Sequence, residues 1–209
     1  MTTTPLRKDA ARNWDRIVAV ARELVDRGTP LQLNDVARRT GLGVGTVYRH
    51  FATPEALLET VAAPRLEALA AHGRRALADT DAWRALEGFL TRTVEAQVTD
   101  AALAPVAAAS VDALPRTTEL KESLWATGTA LLDRARAAGA VRPDLTAADL
   151  VPLMCGLAYA VDVHGSSAPA DRIATAHRYL AALLGGLRAA PTTGRAPRTA
   201  SRAEPPDPR

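Results

Sequence analysis

Apolar residues along this chain recur at the three- and four-residue spacings of helices, and no stretch alternates with the period of two expected of a strand. Ile17, Val18, Ala21, Leu24 and Val25 make one apolar face of a helix expected from about Asp9 to Arg27, with Gly28 as its stop. A short helix follows at about Asn34–Thr40, capped near Asn34 or Asp35, with Val36 and Ala37 inward. Gly41-Leu42-Gly43 breaks it, since glycines allow the positive φ that a sharp reversal needs. The next helix, Val44 to His50, places Val44, Val47 and Phe51 on one side at helical spacing. Gly45, Thr46, Arg49 and His50 are left outward, with Tyr48 at the margin.

Thr53 at N-cap and Pro54 at N1 start a fourth helix, carried by Leu57, Leu58 and Val61 to about Ala71. Further helices are expected at about 81–100, 101–111, 116–138, 146–164 and 170–188. Asp81, Thr146 and Pro169 sit at their starts, Gly139 and Gly165 just past their stops. Pro105 kinks or splits one of them. The expected fold is all-α. A flexible basic arm (1–8) precedes a helix-turn-helix DNA-binding domain (9–70, with the motif itself at about 32–51). A helical effector-binding and dimerisation bundle (71–189) and a disordered tail (190–209) rich in Pro, Thr and Arg follow.

A short helix that buries one edge and presents small, hydroxylated and cationic groups on the other suits the major groove of DNA. Residues 41–51, Gly-Leu-Gly-Val-Gly-Thr-Val-Tyr-Arg-His-Phe, are followed by Thr53-Pro54-Glu55-Ala56-Leu57. This segment resembles the N-terminal domain of tetracycline-repressor-type (TetR family) transcriptional regulators. Their pattern runs Gly-aliphatic-Ser-x-Gly-Thr-aliphatic-Tyr-x-His/Tyr-Phe, then Ser/Thr-Lys-x-x-Leu. The likeness covers roughly residues 10 to 70. Gly43 stands where the family usually has a capping Ser or Thr, and Pro54 replaces a lysine that commonly reaches phosphate. Glycine remains an acceptable N-cap, and a helix N-terminus binds phosphate through its free N–H groups.

The resemblance implies a sequence-specific DNA-binding transcriptional regulator: a repressor that leaves a pseudo-palindromic operator when a small-molecule effector binds. The expected DNA-contact set is Gly43, Val44, Gly45, Thr46, Tyr48, Arg49, His50 and Thr53, with Arg7 and Lys8 from the arm. Thr46 would touch a base edge or thymine methyl, and Arg49 a guanine or phosphate. Tyr48 and His50 would hold phosphates, which fix register without reading sequence. The alternative is an all-α dimeric effector-binding or protein-partner module with weak or no DNA binding.

Charge agrees with a reading head on a regulatory body. Residues 1–50 carry nine Lys/Arg against five Asp/Glu, residues 51–187 twelve against sixteen. One cysteine, Cys155, excludes an internal disulfide and a cysteine zinc site. No Gly-x-Ser-x-Gly, paired-histidine or phosphate-cradling motif points to an enzyme, a metal or a cofactor, and none is expected. The start shows no signal-like apolar run. The apolar stretch near Leu150–Val163 reads as too short to span a membrane and contains Asp162, so a cytoplasmic protein is expected.

Candidates for an effector pocket are Trp83, Phe89, Trp125, Met154, Cys155, Tyr159, Asp162 and His164, which combine apolar bulk with a few polar groups. The last two helices carry the association signal. Leu150, Leu153, Leu157 and Val161 on one, and Leu180, Leu183, Leu184 and Leu187 on the other, are expected at a homodimer interface of four helices.

Overall fold

A computed structural model describes residues 4–165 and 168–188. Those residues form α1 (Thr4–Asp26), α2 (Leu33–Thr40), α3 (Val44–His50), α4 (Pro54–Leu77), α5 (Ala82–Thr99), α6 (Leu103–Ala108), α7 (Pro115–Ala137), α8 (Ala147–His164) and α9 (Pro169–Leu187). The only strand-like feature among them is an isolated bridge between Val141 and Arg188. The tail expected to be disordered, 190–209, lies outside the described residues.

Helices α1 to α3 and the first half of α4 close around Ile17, Ala21, Leu24, Leu33, Val36, Val47, Phe51 and Leu57, all essentially buried. Each of these side chains larger than alanine contributes about 1.5–3 kcal/mol when taken fully from water, enough in sum to hold a small head. α1 begins at Thr4, five residues before the expected start, so Lys8 sits on helix and not on a free arm. Pro5 is compatible with this because a first turn needs no N–H from it. Asp9, the expected start, instead pairs with Arg12 at 2.6 Å across one turn. α2 likewise begins one residue early: Leu33 is buried, and the Gln32 carbonyl accepts from Asp35 and Val36.

α4 is longer than the sequence suggested. It runs through Gly73 to Leu77, so the boundary expected at residue 70 falls inside a continuous helix that belongs to both head and body. Gly73 is a packing glycine here: an added Cβ would lie 2.7 Å from Thr127 Cγ2 and 3.1 Å from Phe89 Cε2. Its missing side chain lets α4 approach α7 and α5 closely.

The body is a bundle of α5, α7, α8 and α9 around Leu86, Leu90, Val94, Leu131, Leu132, Met154, Val161 and Leu180. Asp81 caps α5 by accepting from the Arg84 amide at 2.9 Å. Thr146 and Asp149 form a capping box on α8, which holds the Asp149 carboxyl below its usual pKa. Gly165 ends α8 in the left-handed region, as its position in sequence suggested. α8 is 18 residues long with mean hydropathy 1.2, long and apolar enough to cross a membrane, contrary to the sequence estimate. Leu150, Met154, Leu157, Ala158 and Val161 nevertheless pack it into the body core.

Candidate nucleic-acid interface and effector cavity

α2 ends in a Schellman-type turn. Gly41 has φ 66°, its N–H reaches the Arg38 carbonyl, and the Leu42 N–H reaches Ala37 at 3.1 Å. The reversal delivers Gly43 in extended backbone as the N-cap of α3, without a side-chain cap. Val47 and Phe51 anchor α3, whereas Val44 and Tyr48 are each 48% exposed. The sequence spacing had put Val44 inward. Val44 is the first residue of α3, at its open end, whereas Val47 is buried mid-helix and Phe51 follows in extended backbone.

Gly43, Val44, Gly45, Tyr48 and Arg49 therefore make one exposed strip. Arg49 Nη2 donates to Thr46 Oγ1 at 3.1 Å, so these two side chains act as a unit. Tyr48 is a surface group and not head core. His50 is half-buried against Phe51, ring centroids 6.5 Å apart. Thr53 Oγ1 accepts from the Ala56 amide at 3.1 Å, so its hydroxyl oxygen is already engaged as the cap of α4. Lys8 is exposed on α1; the Arg7 side chain lies outside the described residues. Arg39, exposed in the last turn of α2, is a cation the sequence did not single out, although its place beside a basic neighbour was visible. Gly43→Ser is expected to stabilise the protein by a few tenths of a kcal/mol, because a hydroxyl N-cap outranks glycine. A Cβ there meets only Thr46 Oγ1, at an ordinary 3.8 Å. Urea denaturation measures it, and a loss of stability would refute the capping account.

A cavity of about 450 Å³ opens among α4, α5, α6, α7 and α8. Leu66 and Leu69 of α4, Leu90 of α5 and Leu103 of α6 form part of its apolar wall. Thr93, Gln97, Thr118, Lys121, Asp112 and Glu122 supply its polar groups. Of the expected pocket residues, Phe89, Trp125 and Met154 line it; Trp83, Cys155, Tyr159, Asp162 and His164 do not. The reason is position along helices. The cavity meets α8 only up to Met154, and His164 lies ten residues further, about 15 Å along the axis. Asp162 pairs with Arg172 of α9, His164 meets the Tyr179 ring edge-on at 6.5 Å, and Tyr159 is 70% exposed. Trp83, at the opposite end of α5, stacks under the Arg188 guanidinium at 4.5 Å. Cys155 sits behind Gln97. Burial pushes its thiol pKa up, against a smaller downward pull from a Gln97 hydrogen bond and the Lys121 charge.

Lys121 Nζ donates to Asp112 Oδ1 at 2.6 Å and to the Ala109 carbonyl at 2.9 Å, and Thr118 donates to Asp112 Oδ2 at 3.0 Å. These bonds fix the loop between α6 and α7 at the cavity rim. Head and body are tied twice. Glu59 of α4 is buried and accepts from the Ala113 and Leu114 amides at 2.6 and 2.8 Å. Asp100, just past α5, accepts from Arg22 of α1 at 2.6 Å and from the Ala102 amide at 3.0 Å. Arg65 of α4 lies 3.6 Å away.

Residues 81–189 match the C-terminal domain of SbtR-like transcriptional regulators, and residues 17–61 match the N-terminal domain of tetR-family bacterial regulatory proteins. The chain belongs to the TetR family. It is 32% identical to the TetR transcriptional regulator SCO0520 from Streptomyces coelicolor, covering 84% of this chain and 98% of that one with a TM-score of 0.51. A tetR-family bacterial regulatory protein from Rhodococcus RHA1 shares the fold with a TM-score of 0.62 at 22% identity, over 85% of this chain and 97% of that one. An HTH-type transcriptional regulator of Staphylococcus aureus is 42% identical over 48 residues, 22% of this chain; the chain spans about a quarter (26%) of the length of that curated relative. This TetR-family chain thus joins a helix-turn-helix head to a C-terminal helical domain holding an apolar cavity.

Six of the eight residues expected at the dimer interface are committed elsewhere. Leu150, Leu157, Val161, Leu180, Leu184 and Leu187 are buried within the subunit, and Leu153 and Leu183 pack partly on the same core. Their apolar stripes cover α5 and each other, which uses the strongest hydrophobic faces inside one chain. The outer face of α8 carries Pro152, Gly156, Tyr159, Ala160 and Val163, all exposed. That of α9 includes Ala174, Ala181, Ala182 and Gly185.

Proposed function

We propose that the chain is a homodimeric repressor that reads a pseudo-palindromic operator and releases it when a small-molecule effector enters the body cavity. The observation that carries this is the exposed strip of α3, with the Thr46–Arg49 pair held on it by Val47 and Phe51 underneath. A short helix carrying a hydroxyl, a guanidinium and a phenol on its free side has the groups that read and grip a major groove. The strip performs recognition and no bond-making chemistry, and its site of action is chromosomal DNA in the cytoplasm.

Dimerisation is assigned to the outer faces of α8 and α9 in place of their leucine stripes. Only 28% of the apolar α8 is buried inside one chain, and Tyr159 and Val163 stand exposed beside small residues on α9 that allow close approach. A twofold pairing of these faces presents two recognition helices to half-sites about one helical turn or slightly more apart. Tyr159→Arg with Val163→Arg is expected to sediment as a folded monomer; persistence of the dimer would sink the assignment.

Effector control follows from α4, which supplies Leu66 and Leu69 to the cavity wall and begins in the head. A ligand that favours one position of α4 biases the head separation and so lowers operator affinity, and the coupling is reciprocal. Selection of bound fragments from genomic DNA tests the reading; failure to enrich any palindrome would favour the protein-partner alternative. On a recovered operator, Arg49→Ala is expected to lose about 1–3 kcal/mol of specific binding with little change on random DNA. An equal loss on both would make Arg49 a phosphate contact.

A further inference from the structure

The cavity wall is nearly all hydrocarbon, but Gln97 breaks the pattern. It is 7% exposed and lines the cavity, and its carboxamide oxygen is buried with no hydrogen-bond partner. A buried carbonyl without a donor is unfavourable, and folded proteins rarely keep one without a use. A ligand with a single O–H or N–H group would satisfy the oxygen.

Charge at the rim narrows the class further. Three charged residues line the cavity, and Lys121 is already committed to Asp112 and to the Ala109 carbonyl. Glu122 leaves the set with one net negative charge. An anionic ligand would bury its charge with no free cation to receive it. A cationic one would find Glu122 only at the exposed mouth, with its remaining surface on hydrocarbon. Neither charged class fits as well as a neutral one.

We infer that the cavity takes a neutral, largely apolar molecule carrying one hydroxyl or N–H donor, which it presents to the Gln97 carboxamide oxygen. This rests on the cavity being the effector site. The class includes fatty alcohols, phenols and hydroxylated ring systems; the cavity volume is in the range that encloses such molecules.

Calorimetric titration of the full chain with 1-decanol, 1-methoxydecane, decanoate and decyltrimethylammonium tests it, with tryptophan fluorescence as a second readout from Trp125 at the cavity wall. Decanol is expected to bind roughly tenfold more tightly than the ether, which leaves the oxygen unmet. It should also outbind both ions. In Gln97→Met, of similar shape but without the amide, the alcohol and ether should converge. Equal wild-type affinity for the alcohol and ether, or tighter binding of either ion, would overturn the ligand class while leaving the cavity as a binding site. An alcohol preference that survives in Gln97→Met would overturn the role of Gln97. No binding of any of the four would overturn the effector site itself, and the inference with it.

Discussion

Glu59→Ala is expected to destabilise the protein by about 3 kcal/mol, since it removes a buried charged acceptor and orphans two amides. Glu59 is 3% exposed, and its two carboxylate oxygens each take one backbone N–H, from Ala113 and Leu114. Those amides lead into the start of α7, where a helix N-terminus favours negative charge. Alanine would leave both N–H groups without their carboxylate acceptor. Glu59→Gln should lose roughly half as much, because its carbonyl serves one amide while its NH2 opposes the other. Urea unfolding of the two variants measures the ratio; near-equal stability of wild type and alanine variant would refute the account. The bond joins the head's α4 to the loop at the cavity rim. Loss of this tie should also weaken the effect of any effector on operator affinity.

Asp100→Ala is expected to cost about 2 kcal/mol, less than a fully buried pair because Arg22 remains one-third exposed and solvent screens its charge. Three groups converge on this carboxylate: Arg22 from α1, Arg65 from α4 and the Ala102 amide ahead of α6. Arg22 also donates to the Val61 carbonyl at 2.5 Å, so it stays oriented when Asp100 is lost. Asp100→Asn should retain the cap on Ala102 and recover part of the loss. Chemical denaturation with the double variant Arg22→Ala/Asp100→Ala closes the cycle; strictly additive losses would show that the pair does not couple.

Some of the polar ties leave a trace in the sequence. Glu59, Ala62, Leu66, Leu69 and Gly73 fall on one helical stripe of α4, and all five are buried. Leu86, Leu90, Val94 and Gln97 do the same on α5. A polar residue on an apolar stripe announces a buried partner, but the stripe cannot name it. Asp100 leaves no such trace, because it follows a helix end and its partner Arg22 lies 78 residues away.

Local chemistry sufficed for the helix-turn-helix. Its turn glycines, the Thr53-Pro54 start and the anchoring Val47 and Phe51 act within a few residues of one another, and short-range sterics decide their conformation. The same holds for Asp81 and Thr146 as caps and Gly165 as a stop. Long-range packing decided the rest. Whether an apolar stripe on α8 or α9 faces its own bundle or a second chain depends on which neighbour reaches it first, and α5 does. The cavity exists because five helices from distant parts of the chain leave a gap. The buried Gln97 carboxamide oxygen on its wall meets no donor among the described residues.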